Sequence, residues 1–382
     1  VEIVARLNGF DIDRKLVQDF ATGAADYDVA WDHTSFYSAY APYLEPLNAY
    51  FSEEELAAFS PAIIESSTID GNLYLMPRHS DISVVHYRTD LYEDPANMEA
   101  FEAEYGYPLA APETWQQLGE QARFFADPAN NMWGTQWAGK DEGLNGRFME
   151  LLQANGGDIL DAEFHPIFNN EVGVETATWL HDLYQDGILP PDMTNYVWPE
   201  VFNNFCNGSI AVYTEWYGWY SSLQDPDGCP AVAGNFGLVR APMGTTDRHS
   251  GWAGAHGYSI VGTSENKVAA AQLIKFLTSE MVLYEESSQG ALPVRDDVWA
   301  RVIADAETSG VPLDVERLQI AQTQISEDFT TPPLISDWLA VSNIVFPAVQ
   351  EILITPDIDI QARLDEAAAD VEELLDDAGY YS

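Results

Sequence analysis

The chain has 382 residues, 46% of them hydrophobic and 12% aromatic, which suits two folded bodies and argues against a disordered chain. Asp and Glu number 62 against 16 Lys and Arg, for a formal net charge of −46. Binding along a nucleic-acid backbone or on an anionic lipid surface needs clustered Lys and Arg, so the composition argues against both partners. In chain order, residues 1–5 (VEIVA), 28–31 (DVAW), 73–76 (LYLM) and 82–87 (ISVVHY) read as strands. Pro95, Pro108 and Pro112 mark 94–112 as a soft boundary. A capping-box pattern at 114–117 (TWQQ) opens a helix with the apolar stripe Trp115, Leu118, Ala122 and Phe125. A second helix runs from about Val174 through Leu180 and Tyr184 to Gly187, ahead of Pro190 and Pro191. Strands follow at 209–214 (SIAVYT) and 236–239 (FGLV). Residues 241–257, rich in Gly, Thr and Ser, read as irregular and lead to a strand at 258–261 (YSIV). Helical patterns cover 266–279, with Ala270, Leu273, Ile274 and Leu277, and about 360–377, with Leu364, Ala367, Val371 and Leu374. A third irregular stretch lies at 329–333 (FTTPP). Strand–helix alternation predicts the α/β class with mainly parallel sheets. No apolar run approaches the roughly 18 residues of a membrane helix.

The acids are spread along the chain and only Lys15, Lys140, Lys267 and Lys275 are lysine. An even spread predicts a solvated, highly charged surface on a folded body, suited to a saline (halophilic) setting where salt screens self-repulsion. Cys206 and Cys229 have no CxxC neighbour, which argues against a zinc site. Twenty-three positions apart, they suit a disulfide in an oxidising compartment, with two unlinked thiols as the alternative.

Several chemistries lack their motifs. No GxGxxG, GxxxxGK[ST], HExxH, EF-hand loop or GxSxG occurs. The single SxxK, residues 264–267 (SENK), sits where a strand hands over to a helix, so Ser264 reads as an N-cap rather than a nucleophile. The seven histidines show no metal-ligand spacing, and no cofactor is expected.

Aromatic residues beside polar ones at strand ends are the positive signal. Trp31, Asp32 and His33 follow a strand, where α/β folds put binding groups. Arg78 and Asp81 flank a proline turn, and Trp198 precedes a helix. Residues 214–220 (TEWYGWY) hold four aromatics that cannot all face one core, and Trp252 lies among small residues. Each aromatic has core packing as its plain alternative. An exposed ring face beside carboxylates is what a sugar or polyol needs: the ring takes the C–H face, and carboxylates and amides take the hydroxyls.

Read in order, these motifs resemble the extracellular solute-binding proteins of ABC importers, the carbohydrate-binding family with maltose-, trehalose- and polyol-type receptors. The carriers are YDVAW (27–31), LEPL (44–47), FSEE (51–54), DGNLY (70–74), Met76–Pro77 and VHYRTDL (85–91). They continue through PETWQQL (112–118), NGGD (155–158), LYQDG (183–187), WPEVFNNFCN (198–207), GSIAV (208–212), Gly251–Trp252, AAQLIKFLTS (270–279) and GALPVR (290–295). Two departures stand out. The strand and helix that open family members are expected to be missing ahead of residue 1, and the GGW-like stretch reads SGWAGAHGYSI, with extra residues and His256.

The resemblance implies an α/β, two-lobed periplasmic-binding-protein fold with a hinge and an interlobe ligand cleft. By analogy lobe one covers 1–86 and 250–295, and lobe two 88–247 and 296–382. It implies a non-enzymatic, monomeric substrate-binding component. This component would capture a sugar, oligosaccharide or polyol and deliver it to ABC permease transmembrane subunits, from the periplasm or cell exterior, with a lipid anchor ahead of the N-terminus as one arrangement. The matching motifs assign Trp252 and Trp216 as stacking platforms, Asp32 and Asp81 to ligand hydroxyls, and Arg78 and Arg295 to hydroxyls or an anionic group. Trp31, Trp198, Glu215 and Asn145 are second choices. An anionic solute (a sugar phosphate or uronate) keeps the receptor role with a different ligand. A secreted glycoside hydrolase would instead need two carboxylates with split pKa values.

Overall fold

A computed structural model describes residues 1–7, 9–309 and 312–381. Its main strands are β1 (Val29–His33), β2 (Met76–Arg88), β3 (Val212–Trp216), β4 (Phe236–Val239) and β5 (Gly251–Val261). The longer helices are α1 (Gly9–Thr22), α2 (Pro95–Tyr105), α3 (Trp115–Phe125), α4 (Glu142–Ala154), α5 (Glu171–Gln185) and α6 (Trp198–Cys206). They continue with α7 (Lys267–Leu277), α8 (Glu280–Ser288), α9 (Asp296–Ser309), α10 (Pro312–Glu327), α11 (Trp338–Ile354) and α12 (Ile360–Asp377). Two compact units emerge: unit 1 is Val1–Ile82 with Ala253–Leu339, and unit 2 is Ser83–Trp252 with Ala340–Ser382.

In unit 1, β5 pairs antiparallel with β1, from Val29 opposite Ile260 to His33 opposite His256. On its other side it pairs with the first half of β2, with a register shift between Pro77 and His79. Ile12, Leu16 and Phe20 recur every four residues on α1, so one face of that helix is apolar. Leu16 and Phe20 pack with Ala30, Phe36, Tyr37, Tyr40, Leu75 and Val261 in the core. In unit 2, the second half of β2 pairs antiparallel with β3 and β4. The expected stripe Trp115, Leu118, Ala122 and Phe125 is buried on α3, and Ala177, Leu180 and Leu183 on α5. Cys206 and Cys229 are joined by a disulfide within unit 2.

Several expectations need correction. Residues 1–5 are exposed and form no strand, because nothing in VEIVA finds a pairing partner. The segment opening the chain nevertheless supplies a helix, α1, before β1. The stretch 241–257 is irregular only up to residue 250: β5 starts at Gly251, since pairing with β1 and β2 overrides the low strand propensity of its small residues. The proline-rich 94–112 is largely helix: Pro95 sits in the first turn of α2 and Asp94 caps it by accepting the Ala96 N–H at 2.8 Å. Ser264 Oγ accepts the Asn266 N–H at 3.0 Å, one turn ahead of α7, whose N-cap is Asn266. On α12 the last core residue is Leu375, not Leu374. The named strand pairings are antiparallel rather than mainly parallel. Residues 296–339 fall in unit 1, where the sequence reading places them in the second lobe. There α9 packs on α8 and α10, and α10 on the short helix Pro61–Ser66.

Candidate functional site

Three tryptophans from three elements meet in unit 2. Strand β3 is buried along its length until its last residue, so Trp216 ends it half-exposed. Trp252 lies at the start of β5. Trp198 opens α6, where Glu200 Oε2 accepts the Val197 N–H at 3.1 Å and fixes the helix start. The Trp216 and Trp252 ring centroids are 4.6 Å apart with planes at 53°. Trp198 stands 6.4 Å from Trp216 and 6.5 Å from Trp252. These spacings leave no slot for a sugar between rings, so the three form one continuous aromatic surface. Trp252 is only 4% exposed. It is the floor under Trp216 and Trp198, rather than an open platform.

Helix α4 lies beneath that floor. Every residue in it except Gln153 is buried, although Glu142, Asn145, Arg147 and Glu150 are polar. A helix buried all round must satisfy such groups internally. Arg147 pairs with Glu150, one turn on, and donates to Ser83 Oγ (3.1 Å) and the Thr214 carbonyl (2.8 Å). Burial pulls the Arg147 guanidinium down to about 10, and the Glu215 carboxylate opposes that shift. Glu150 Oε1 accepts the backbone N–H of Trp252 at 3.1 Å. Glu215, itself buried, accepts the Trp216 N–H at 3.3 Å. Asn145 does not face solvent: its amide donates to the Ser342 carbonyl at 2.9 Å, and Ser342 Oγ donates to Glu142 Oε2 at 2.6 Å. Arg147 and Glu150 escaped the sequence reading because they sit inside a helical pattern; their only signal is charge where every neighbour is core-forming.

Unit 1 treats its candidates differently. Asp32 is fully buried, its carboxylate accepts the Tyr40 hydroxyl, and burial raises it to about 7. It faces the α1 side, where Asp13, also raised by burial to about 6, approaches the same tyrosine. The residue therefore belongs to the unit's interior, which corrects its assignment to ligand hydroxyls. Arg78 is held by Glu286 at 2.8 Å, and Arg295 by Asp297 at 2.6 Å and over the Phe59 ring at 5.0 Å. Asp81 is half-buried and accepts its neighbour's Ile82 N–H at 3.0 Å. Trp31 stacks on His256 at 5.2 Å.

Trp31, His33, His256 and His79 share one sheet face, because His256 is the register partner of both His33 and His79. Ring centroids are 4.5 Å apart for His33–His256 and 4.4 Å for His79–His256. His33 Nδ1 accepts the Ser35 N–H, so its proton sits on Nε2. Burial holds His33 near 4 and, with the nearby Arg78 charge, His79 near 3, while burial and the neighbouring histidines keep His256 well below its ordinary value. Among the described residues no group of three or more His, Cys, Asp or Glu is arranged to hold a metal ion.

The profile of the bacterial extracellular solute-binding protein family matches residues 8–282. The chain belongs to that family. As a solute-binding protein it is similar to a probable ABC transporter-binding protein of Deinococcus radiodurans, 28% identical over 267 residues covering 68% of this chain and 60% of the relative. It is 25% identical over 275 residues to a mannitol-binding protein of Pseudomonas aeruginosa, covering 70% of this chain and 59% of that one. The chain thus spans about three fifths of the length of these relatives. In structure it resembles maltose-bound T. maritima MalE3, with a TM-score of 0.78, 26% identity and 94% and 88% of the two chains covered. A ribitol complex of a solute-binding protein from Agrobacterium radiobacter K84 superposes with a TM-score of 0.81 at 22% identity, covering 96% and 90%. The fold of this solute-binding protein is therefore the two-lobed periplasmic-binding architecture. Among the described residues no helix is long and apolar enough to cross a membrane.

Proposed function

We propose that this chain is the substrate-binding component of an ABC importer, with a neutral sugar, oligosaccharide or polyol as its solute and the two compact units as its lobes. The observation that carries the reading is the half-exposed face of Trp216 and Trp198 over Trp252. An indole face takes the C–H side of a sugar or polyol chain, and neighbouring polar groups take its hydroxyls. The ligands for which two of the similar proteins are named, mannitol and maltose, belong to the same chemical class.

Binding shifts the protein toward its solute-held state, and a membrane permease reads that state. No covalent step is needed, so the sugar is expected back unchanged. The protein acts as a monomer outside the cytoplasmic membrane, where Cys206 and Cys229 stay oxidised. An anionic solute is disfavoured because Arg78 and Arg295 are each already held by a carboxylate.

A thermal-shift panel of mono-, di- and oligosaccharides, polyols, uronates and sugar phosphates tests this. A ligand at 100 times its Kd adds about 2.7 kcal/mol. A rise with a neutral compound recovered intact is the expected result. A response confined to anions would move the solute class, and consumption of a glycan would replace the receptor with an enzyme.

A further inference from the structure

The aromatic surface of unit 2 rests on α4, and the contact is unusually tight at one residue. A Cβ at Gly146 would stand 2.2 to 2.3 Å from three atoms of the Trp252 indole, so any side chain there displaces the ring. One residue on, the Arg147 guanidinium holds the backbone of β3 through the Thr214 carbonyl, two positions before Trp216. Three further on, the Glu150 carboxylate holds the backbone of Trp252 and also pairs with Arg147. One turn of helix thus fixes both strands that carry the tryptophans. The guanidinium and carboxylate are each 2% exposed or less, so their pairing is not screened by water.

We propose that Gly146, Arg147 and Glu150 are positioning residues for the solute: they set the pose of Trp252 and Trp216 without touching the ligand. The inference rests on the tryptophan surface being the solute platform. A buried pair kept here carries a desolvation cost that an apolar pair of the same shape would avoid. What the ion pair adds over such an apolar pair is direction, since each partner reaches a different strand backbone.

The test compares Gly146→Ala and Glu150→Gln with the parent chain in three measurements: far-UV circular dichroism for the fold, near-UV circular dichroism for the coupled indoles, and titration with maltose and with D-mannitol. Gly146→Ala is expected to keep the far-UV spectrum, lose near-UV intensity, and raise Kd by about tenfold or more, the effect of about 1.4 kcal/mol. Glu150→Gln keeps an acceptor for the Trp252 N–H but removes the negative charge that pairs with Arg147, and is expected to raise Kd by roughly threefold with a smaller near-UV change. Should Gly146→Ala not fold, Glu150→Gln decides. Folded variants with the parent near-UV spectrum would overturn the proposal, and so would an altered spectrum with the parent Kd. If the parent itself binds neither probe, the solute reading fails for these two compounds, and the near-UV comparison still decides whether α4 sets the indole geometry.

Discussion

His79 and His256 lie face to face in unit 1, 4.4 Å between ring centroids and 16° between planes. Both rings are neutral, and the adjacent Arg78 charge makes a proton on either more costly. Their folded pKa values, with that of His33, lie below the value of about 6.5 that each takes in the unfolded chain. Between pH 6.5 and about 4 the unfolded chain therefore binds more protons at these sites. Their contribution to stability is complete above 6.5 and is lost on acidification. Replacing His256 by Gln is expected to flatten the fall of the urea midpoint between pH 6.5 and 4.5. An unchanged slope would show that the row is not what makes unit 1 acid-sensitive.

Asp32 works in the opposite sense. Its folded value, raised by burial to about 7, stands above the unfolded value of 3.8, so ionisation favours unfolding as pH rises through that window. Asp32→Asn keeps an acceptor for the Tyr40 hydroxyl and removes the buried charge. The variant is expected to match the parent below pH 4 and to exceed it increasingly up to pH 7, by at most about 4 kcal/mol. Denaturant midpoints at pH 4, 6 and 8 check this; a variant weaker than the parent at pH 8 would contradict it.

The two tryptophans in contact should separate by burial. Trp252→Ala removes a floor that is 4% exposed and is expected to cost about 3 to 5 kcal/mol of stability as well as binding. Trp216→Ala, at the half-exposed end of β3, is expected to cost less than about 1.5 kcal/mol of stability yet most of the solute affinity. Melting curves and calorimetric titration of both variants separate the two effects.

A net charge of −46 repels itself. Raising NaCl from 0.05 to 1 M shortens the screening length to about 3 Å, so the melting temperature is expected to climb over that range. A flat response would mean that the acids are spaced too widely to matter and would remove the argument for a saline setting.

Much of the architecture is legible before any coordinates. The helix at Ile360–Asp377 and the strand at Phe236–Val239 show directly in apolar spacing and punctuation, and the α3 stripe is buried as its period requires. Residues 1–5, expected as a strand, form none, and residues 251–257, expected as irregular, extend the strand at 258–261, both for one reason. Strand formation depends on a partner strand, which local propensity does not reveal. Within the site, tryptophans at element ends are visible as aromatics that cannot all be core. Gly146, Arg147 and Glu150 are not, because their role lies in contacts with residues far along the chain, 102 positions away for Glu150 and Trp252. Asp32 shows the limit on the other side: its motif sits where binding groups often lie, and its side chain turns inward to Tyr40.

Of the four lysines, Lys15, Lys267 and Lys275 are tied to Asp19, Glu45 and Glu55, leaving Lys140 exposed just ahead of α4. A protein this poor in amines is a convenient object for conjugation. Among the lysines an amine-reactive dye used sparingly has Lys140 as its most accessible target, and a fluorophore there sits just ahead of α4, the helix on which the Trp252 indole rests. The scarcity of lysines thus favours an optical reporter at Lys140 without engineered cysteines, which would have to compete with the native disulfide.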